Sequence, residues 1–377
     1  MKKINSMILM ALLLCVFCVS CGEAKKEQAL YAPADKDATL ETVELLAKLH
    51  RMYEQGVTAV GHQDDTLYGI GWYGDDNRSD VKSVAGDYPG VSGWELGHIE
   101  LGVEYSLDSV YFSRIQRDII LTDKRGGINT VSWHLRNPMN DATAWNRDST
   151  QGTVTAILED DLVQAKYLKG LDRVCDFFLS LKREDGTLVP ILFRPFHEHT
   201  GDWFWWGRAW CTPQEYVNLW KLTQEHIASR GVHNLLYAYS PDKTDNSEMY
   251  FERFPGNDRV DMYTLDAYHR DAETGEKAYV DNAVKTLLDL REKADKNHKV
   301  VALSETGLGG LPMVNWYTEV LNQVLDQTRP VYFLVWRSQY DNPRGFHIPY
   351  PGQASESDFL KFTQQDNILL QKDVKNI

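Results

Sequence analysis

Between Ile191 and Gly207 the chain reads ILFRPFHEHTGDWFWWG, which holds more chemistry than a buried strand needs. An apolar run of strand type ends at Arg194 and Pro195, then sets His197, Glu198 and His199 beside Trp203, Trp205 and Trp206. A strand leaving the core through structural aromatics accounts for part of this pattern. A site for sugars accounts for more of it. Flat indole rings cover the apolar faces of pyranoses, while a carboxyl group protonates a glycosidic oxygen. Cleaving such a bond takes a second carboxylate. Val300 to Leu303 is a short β-branched strand that runs into Ser304, Glu305, Thr306 and Gly307, so a strand with a glutamate at its end occurs twice.

The surroundings sort the two acids. Glycoside hydrolysis takes one carboxyl group protonated near neutral pH and one ionised, and neighbouring charges hold their pKa values apart. Glu198, flanked by His197 and aromatic walls, suits the proton donor; Glu305, within reach of Tyr268 and Arg194 across a shared mouth, suits the ionised nucleophile. A metal reading of His197-Glu198-His199 finds little support. HExxH is absent, no His-x-His stands on the first strand, and the fifth strand ends in Ala238-Tyr239-Ser240 without a ligand. No GxSxG offers a serine nucleophile either. The expectation is a site without metal or cofactor.

Strand-type and helix-period segments alternate along the chain and must position these groups. Strands are expected at Val57–Val60, Val91–Leu96, Ile128–Trp133, Val189–Phe193, Leu235–Tyr239, Val260–Leu265, Val300–Leu303 and Val331–Val335. Helices are expected at Thr39–Glu54, Asp108–Lys124, Glu159–Lys182, Pro213–Arg230, Ala278–Asn297, Asn315–Thr328 and Asp358–Leu370. Eight strands in strict β-then-α order predict an α/β fold, a single (β/α)8 TIM barrel, with an open doubly wound sheet as the alternative. No GxGxxG or GxxxxGK follows any strand, so the nucleotide-binding folds lack their usual signature. In a barrel the C-terminal strand ends share one mouth, and there the sequence places His62, His134, Arg194, His197, Glu198, Tyr268, Glu305 and Trp336. Glu198 follows strand four and Glu305 strand seven.

With 377 residues and 43% hydrophobic content, the chain can bury a full core. Its formal charge of −14 makes nucleic acid and anionic membrane surfaces poor partners and leaves a neutral polysaccharide indifferent. Residues 1–20 read as an export signal: Lys2 and Lys3, an apolar run from Met7 to Val19, then Ser20. Cys21 with Gly22 behind it resembles the acylated first residue of a bacterial lipoprotein, although Cys18 stands where such signals usually carry Leu. Residues 21–37 read as a flexible tether and 38–377 as the catalytic domain. Cys175 and Cys211 remain beyond the leader, and their pairing is left open.

These residues resemble a known family. RPFHEHTGDWFWWG is similar to the acid/base segment of glycoside hydrolase family 26, clan A barrel enzymes that are mostly endo-β-1,4-mannanases. The likeness extends through GHQ at 61–63, GDYPGVSGWELG up to 97, VSWHLRNP at 131–138, VDMYTLDAYH at 260–269, LSETG at 303–307 and WRSQ at 336–339. It implies Glu198 as acid/base and Glu305 as nucleophile, with Tyr268 bonded to the nucleophile. It also implies that His134, His197 and Trp203 contact the sugars at the cleavage point, that Trp336 is a stacking platform, and that Arg337 reaches the next sugar on the non-reducing side. Arg194 and Trp206 complete the expected substrate-binding set. Two departures leave the outer contacts open: Trp94-Glu95 where the family more often has Trp-Asp, and His199-Thr200 where Met-Asn is common.

The resemblance implies a retaining enzyme acting on mannan, glucomannan or galactomannan, with carboxyl groups about 5–5.5 Å apart. Two rivals are a related glycanase on mixed-linkage β-glucan or β-1,3-xylan, and a non-catalytic glycan-binding lipoprotein. The expected protein is an exported monomer, held to a bacterial membrane only through lipid on Cys21 and facing the periplasm or cell exterior.

Overall fold

A computed structural model describes residues 31–145, 151–273, 275–342 and 344–377. The export signal, Cys21 and most of the tether lie outside them. Helix α1 (Leu40–Gln55) opens on Thr39, whose hydroxyl accepts from the Thr42 N–H, and closes on Gly56 at φ 65°. Eight strands follow: β1 (Thr58–Gln63), β2 (Val91–Glu95), β3 (Ile128–Ser132), β4 (Ile191–Arg194), β5 (Leu235–Tyr239), β6 (Met262–Asp266), β7 (Val300–Thr306) and β8 (Tyr332–Val335). Every residue in them is buried, as expected of a parallel sheet covered by helices outside and packed with side chains inside. Each strand pairs in parallel with the next, and β1 pairs with β8 from Ala59↔Tyr332 to His62↔Val335, which closes the (β/α)8 barrel. At that seam Gly61 leaves no space, since a Cβ there would lie 2.5 Å from the Phe333 carbonyl oxygen.

The covering helices include α2 (Phe112–Arg125), α3 (Asp161–Ser180), α4 (Pro213–Ser229), α5 (Glu276–Asn297), α6 (Asn322–Thr328) and α7 (Glu356–Thr363). A reciprocal capping box of Thr212 and Glu215, with Pro213 behind it, starts α4 just beyond the tryptophan-rich stretch. Among the described residues no helix is long and apolar enough to cross a membrane.

Four expected helices differ from those found. The one expected from Asp108 begins at Phe112, because Tyr105 and Tyr111 pair as an antiparallel bridge around a tight turn with Ser109 at φ 62°. The helix expected from Glu159 begins two residues later, at Asp161, where Asp160 is extended and caps Leu162 and Val163. Trp316–Leu321 forms a π-helical turn ahead of α6. The last expected helix, to Leu370, stops at Thr363; Ile368–Leu369 instead form a short strand beside the start of β1, where the Thr58 N–H reaches the Asn367 carbonyl at 2.8 Å. Cys175 and Cys211 are buried free thiols.

Candidate active site

Strand β4 ends with Arg194 pointing into the barrel mouth, 2% exposed. The chain then turns through Phe196 at φ 50° and Glu198 at φ 52°, left-handed conformations that non-glycine residues adopt at a cost of about 1–3 kcal/mol each. Three bonds on successive residues hold that turn. Tyr216 donates to the Phe196 carbonyl at 3.0 Å, the Trp206 indole to the His197 carbonyl at 2.8 Å, and the Glu198 N–H to the Ser240 carbonyl at 2.7 Å. A bulky aromatic sequence is thus what fixes the Glu198 side chain over the mouth.

One carboxylate oxygen from each of Glu198, Asp266 and Glu305 lies within 4.8 Å of the other two. Their partners differ. Glu198 accepts one bond from the Trp203 indole N–H, at 2.6 Å. Glu305 accepts from Tyr268 Oη at 2.8 Å and from the Arg194 guanidinium, which also reaches Asp266 at 3.0 Å. Asp266 accepts further from Ser240 at 2.9 Å and Ser304 at 2.6 Å. Burial pushes the Glu198 carboxyl well above the usual carboxylate range, and the negative charges of Glu305, Asp266 and Asp242 push the same way; only the Trp203 bond opposes them. Burial disfavours charge on Arg194, but Asp266 and Glu305 on either side outweigh it and raise its pKa. The arrangement therefore holds a neutral carboxyl facing one that is braced by a cation and a phenol. A metal ion in this trio would have to displace the Arg194, Tyr268 and Trp203 donors already bound to it.

Beside the carboxylates, Glu95 at the end of β2 accepts from His134 Nδ1 at 2.7 Å, the His134 N–H at 2.8 Å and Ser132 Oγ at 2.8 Å. His134 Nε2 meets His197 Nε2 at 3.0 Å. Burial lowers the pKa of both imidazoles, but the Glu95 charge and hydrogen bond reverse this for His134 and raise it, whereas His134 and Arg194 depress His197 further. One of the two facing Nε2 atoms must donate to the other, and the Glu95 carboxylate on Nδ1 favours His134 as the donor. Trp145, 46% exposed, stacks on the His134 ring at 4.8 Å. Partly exposed Trp336 stands 5.9 Å away, edge to face.

The structure therefore brings Glu198, Glu305, Arg194, Tyr268, His134, His197 and Trp203 together, with Trp336 beside them. Two of the residues expected to bind substrate, Trp206 and Arg194, are placed differently from a sugar contact. Trp206 is fully buried, with its N–H on the His197 carbonyl and its ring stacked on Phe204 at 4.5 Å, so it supports the turn and has no face for a substrate. Arg194 is spent on Glu305 and Asp266 rather than turned to the cleft. Arg337 is further out, paired with Asp108 at 2.9 Å. Sequence reasoning gave no site role to Glu95, noted only as a departure from the family pattern, or to Asp266, Ser240 and Asp108. The first two end strands β2 and β6, and Ser240 follows β5, so the strand-end rule that found Glu305 could have found them.

Comparison with known proteins decides which chemistry this geometry belongs to. The profile of glycosyl hydrolase family 26 matches residues 34–347. The chain belongs to that family. This hydrolase is 41% identical to a β-mannanase of the family from Bacteroides ovatus, with a TM-score of 0.86 over 90% of this chain and 98% of that one. It is 28% identical to a mannan endo-1,4-β-mannosidase of Bacillus subtilis, covering 81% of this chain and 82% of that enzyme. A mannan endo-1,4-β-mannosidase of Bifidobacterium adolescentis is 29% identical over 90% of this chain, which spans 36% of that longer protein.

Proposed function

We propose that this family 26 hydrolase is a retaining endo-β-1,4-mannanase, cutting internal bonds of mannan, glucomannan or galactomannan by double displacement. The observation that carries the reading is the pair of unlike carboxylates, Glu198 and Glu305, with oxygens within 4.8 Å of one another. So close an approach of their oxygens supports the short retaining separation of the carboxyl groups, about 5–5.5 Å, over the about 6.5–9.5 Å that inversion takes to admit a water between them. The similarity to mannan-degrading relatives supports the choice of polymer.

In the first step a Glu305 oxygen attacks the anomeric carbon while Glu198 gives its proton to the departing glycosidic oxygen. Arg194 and Tyr268 hold the attacking carboxylate in line. Once Glu305 is esterified its negative charge is gone, and with it one of the charges that keep the Glu198 pKa high. Glu198 then becomes the stronger acid and, as carboxylate, takes a proton from the water that releases the sugar. His134, His197 and Trp203 contact the sugars at the cleavage point, and Trp336 lies beneath the reacting ring. The protein acts as an exported monomer anchored by lipid on Cys21.

Reducing ends released from mannan, mixed-linkage β-glucan and β-1,3-xylan test the polymer; silence on mannan with cleavage of another would overturn the choice. Glu198→Gln and Glu305→Gln are expected to keep binding mannan and to lose hydrolysis by roughly three or more orders of magnitude. Wild-type cleavage by either variant removes the catalytic assignment. Proton NMR of the first product tests the stereochemistry: the β-anomer is expected, and an α-anomer means inversion.

A further inference from the structure

Four tyrosines are more than a third exposed among the described residues, and all four lie at one end of the barrel mouth: Tyr73, Tyr105, Tyr111 and Tyr340, 41–57% exposed. They come from the loops after β1, β2 and β8. Tyr73 and Tyr340 meet edge to face at 5.0 Å, and Tyr105 and Tyr111 at 6.5 Å. The Tyr73 hydroxyl donates to the Ser109 carbonyl at 2.6 Å, which ties the first pair to the hairpin carrying the second. The ridge also joins the cleft. Buried Tyr68 lies 6.3 Å from Tyr73 and 5.9 Å from Tyr340, and the Arg337 guanidinium sits 5.9 Å over the Tyr68 ring. Arg337 in turn is paired with Asp108 of the same hairpin and follows Trp336 directly.

We propose that this ridge is a secondary binding surface for the polysaccharide that occupies the cleft, gripping the chain beyond Arg337. The inference rests on the mannanase reading for the identity of the polymer. In an edge-to-face pair the ring that presents its edge keeps its own faces uncovered by its partner, and a phenol offers a sugar an apolar face with a hydroxyl at its rim. Nearby Arg337 and Asp108 cancel one another, and a formal charge of −14 disfavours an anionic chain, so the surface fits a neutral one. Continuity with the cleft through Tyr68 and Arg337 makes the occupant a further length of the same chain. Such a grip slows dissociation of a long substrate and gives a short one nothing.

The test is a triple variant, Tyr105→Ala with Tyr111→Ala and Tyr340→Ala, beside the triple Phe variant, which keeps the ring faces. Binding is read from retardation in native gels cast with soluble mannan, in a Glu198→Gln background so that the polymer stays whole. The Ala triple is expected to weaken retardation about tenfold and to raise KM on mannan similarly, with kcat/KM on mannotetraose within about twofold of wild type. The Phe triple should match the parent. Unchanged retardation of the Ala triple overturns the proposal. So does an equal loss on mannotetraose, or a wild-type dimer that the Ala triple dissolves in sedimentation. If wild type leaves mannan uncut, the mannanase reading fails by itself. The same gels with mixed-linkage β-glucan and β-1,3-xylan then decide the ridge: ring-dependent retardation by either supports a glycan grip, and retardation by none of the three overturns it.

Discussion

The Trp203 indole favours the charged form of Glu198 against burial and its acidic neighbours, because an N–H aimed at a carboxylate stabilises the anion. The sign of its removal follows. Trp203→Phe keeps an aromatic ring, deletes the donor and raises the Glu198 pKa further. The acid then stays protonated to higher pH, so the alkaline limb of kcat/KM for mannan should move upward. The pH–rate profile of the variant measures this, and a limb that stays put or moves down would place the acid elsewhere. Sequence reading reached Glu198 and Glu305 because each ends a strand, but it could not sort the neighbouring aromatics. Trp203 and Trp206 are three residues apart in one run; one bonds the carboxyl group and the other is sealed beneath the turn.

At the scale of elements, the barrel has a seam where β1 meets β8, and its closeness depends on Gly61. The atoms nearest an added Cβ include the Phe333 carbonyl oxygen at 2.5 Å and the Leu334 Cα at 3.0 Å, both backbone, so no side chain can swing aside. Gly61→Ala is expected to destabilise the fold by about 1–3 kcal/mol through overpacking. Urea unfolding would show a lower midpoint, and an unchanged midpoint would mean the two strands separate without cost. The strands themselves were legible because runs of Val, Ile and Leu bounded by turn residues carry a strong local signal. The two-residue strands Tyr68–Gly69 and Trp72–Tyr73 were not, since so short a segment has no periodicity to read. The helix expected to Leu370 failed for a different reason: its last residues gain more by pairing beside β1 than by a further helical turn.

For the whole molecule, the proposed lipid attachment through Cys21 lies apart in the chain from the groups that do the chemistry. On our proposal the lipid on Cys21 holds the protein at the membrane, each buried methylene contributing about 0.8 kcal/mol. Cys21→Ser is expected to move the protein from the membrane pellet to the soluble fraction, with kcat/KM on soluble mannan unchanged. Retention of that variant in the pellet would require another anchor.

The order of strands and helices, the barrel they form and the two glutamates at strand ends follow from local pattern, because periodicity and turn chemistry act between near neighbours in the chain. Contacts between distant segments needed the closed barrel. Pairing of Glu95 with Ser132 across β2 and β3 is what carries Glu95 to His134, and only the meeting of the β2 and β8 loops joins Asp108 to Arg337. Such partners depend on strand register and loop path, which no single segment encodes, so the tertiary structure alone decided which buried charges face one another and which rings stay open to a sugar.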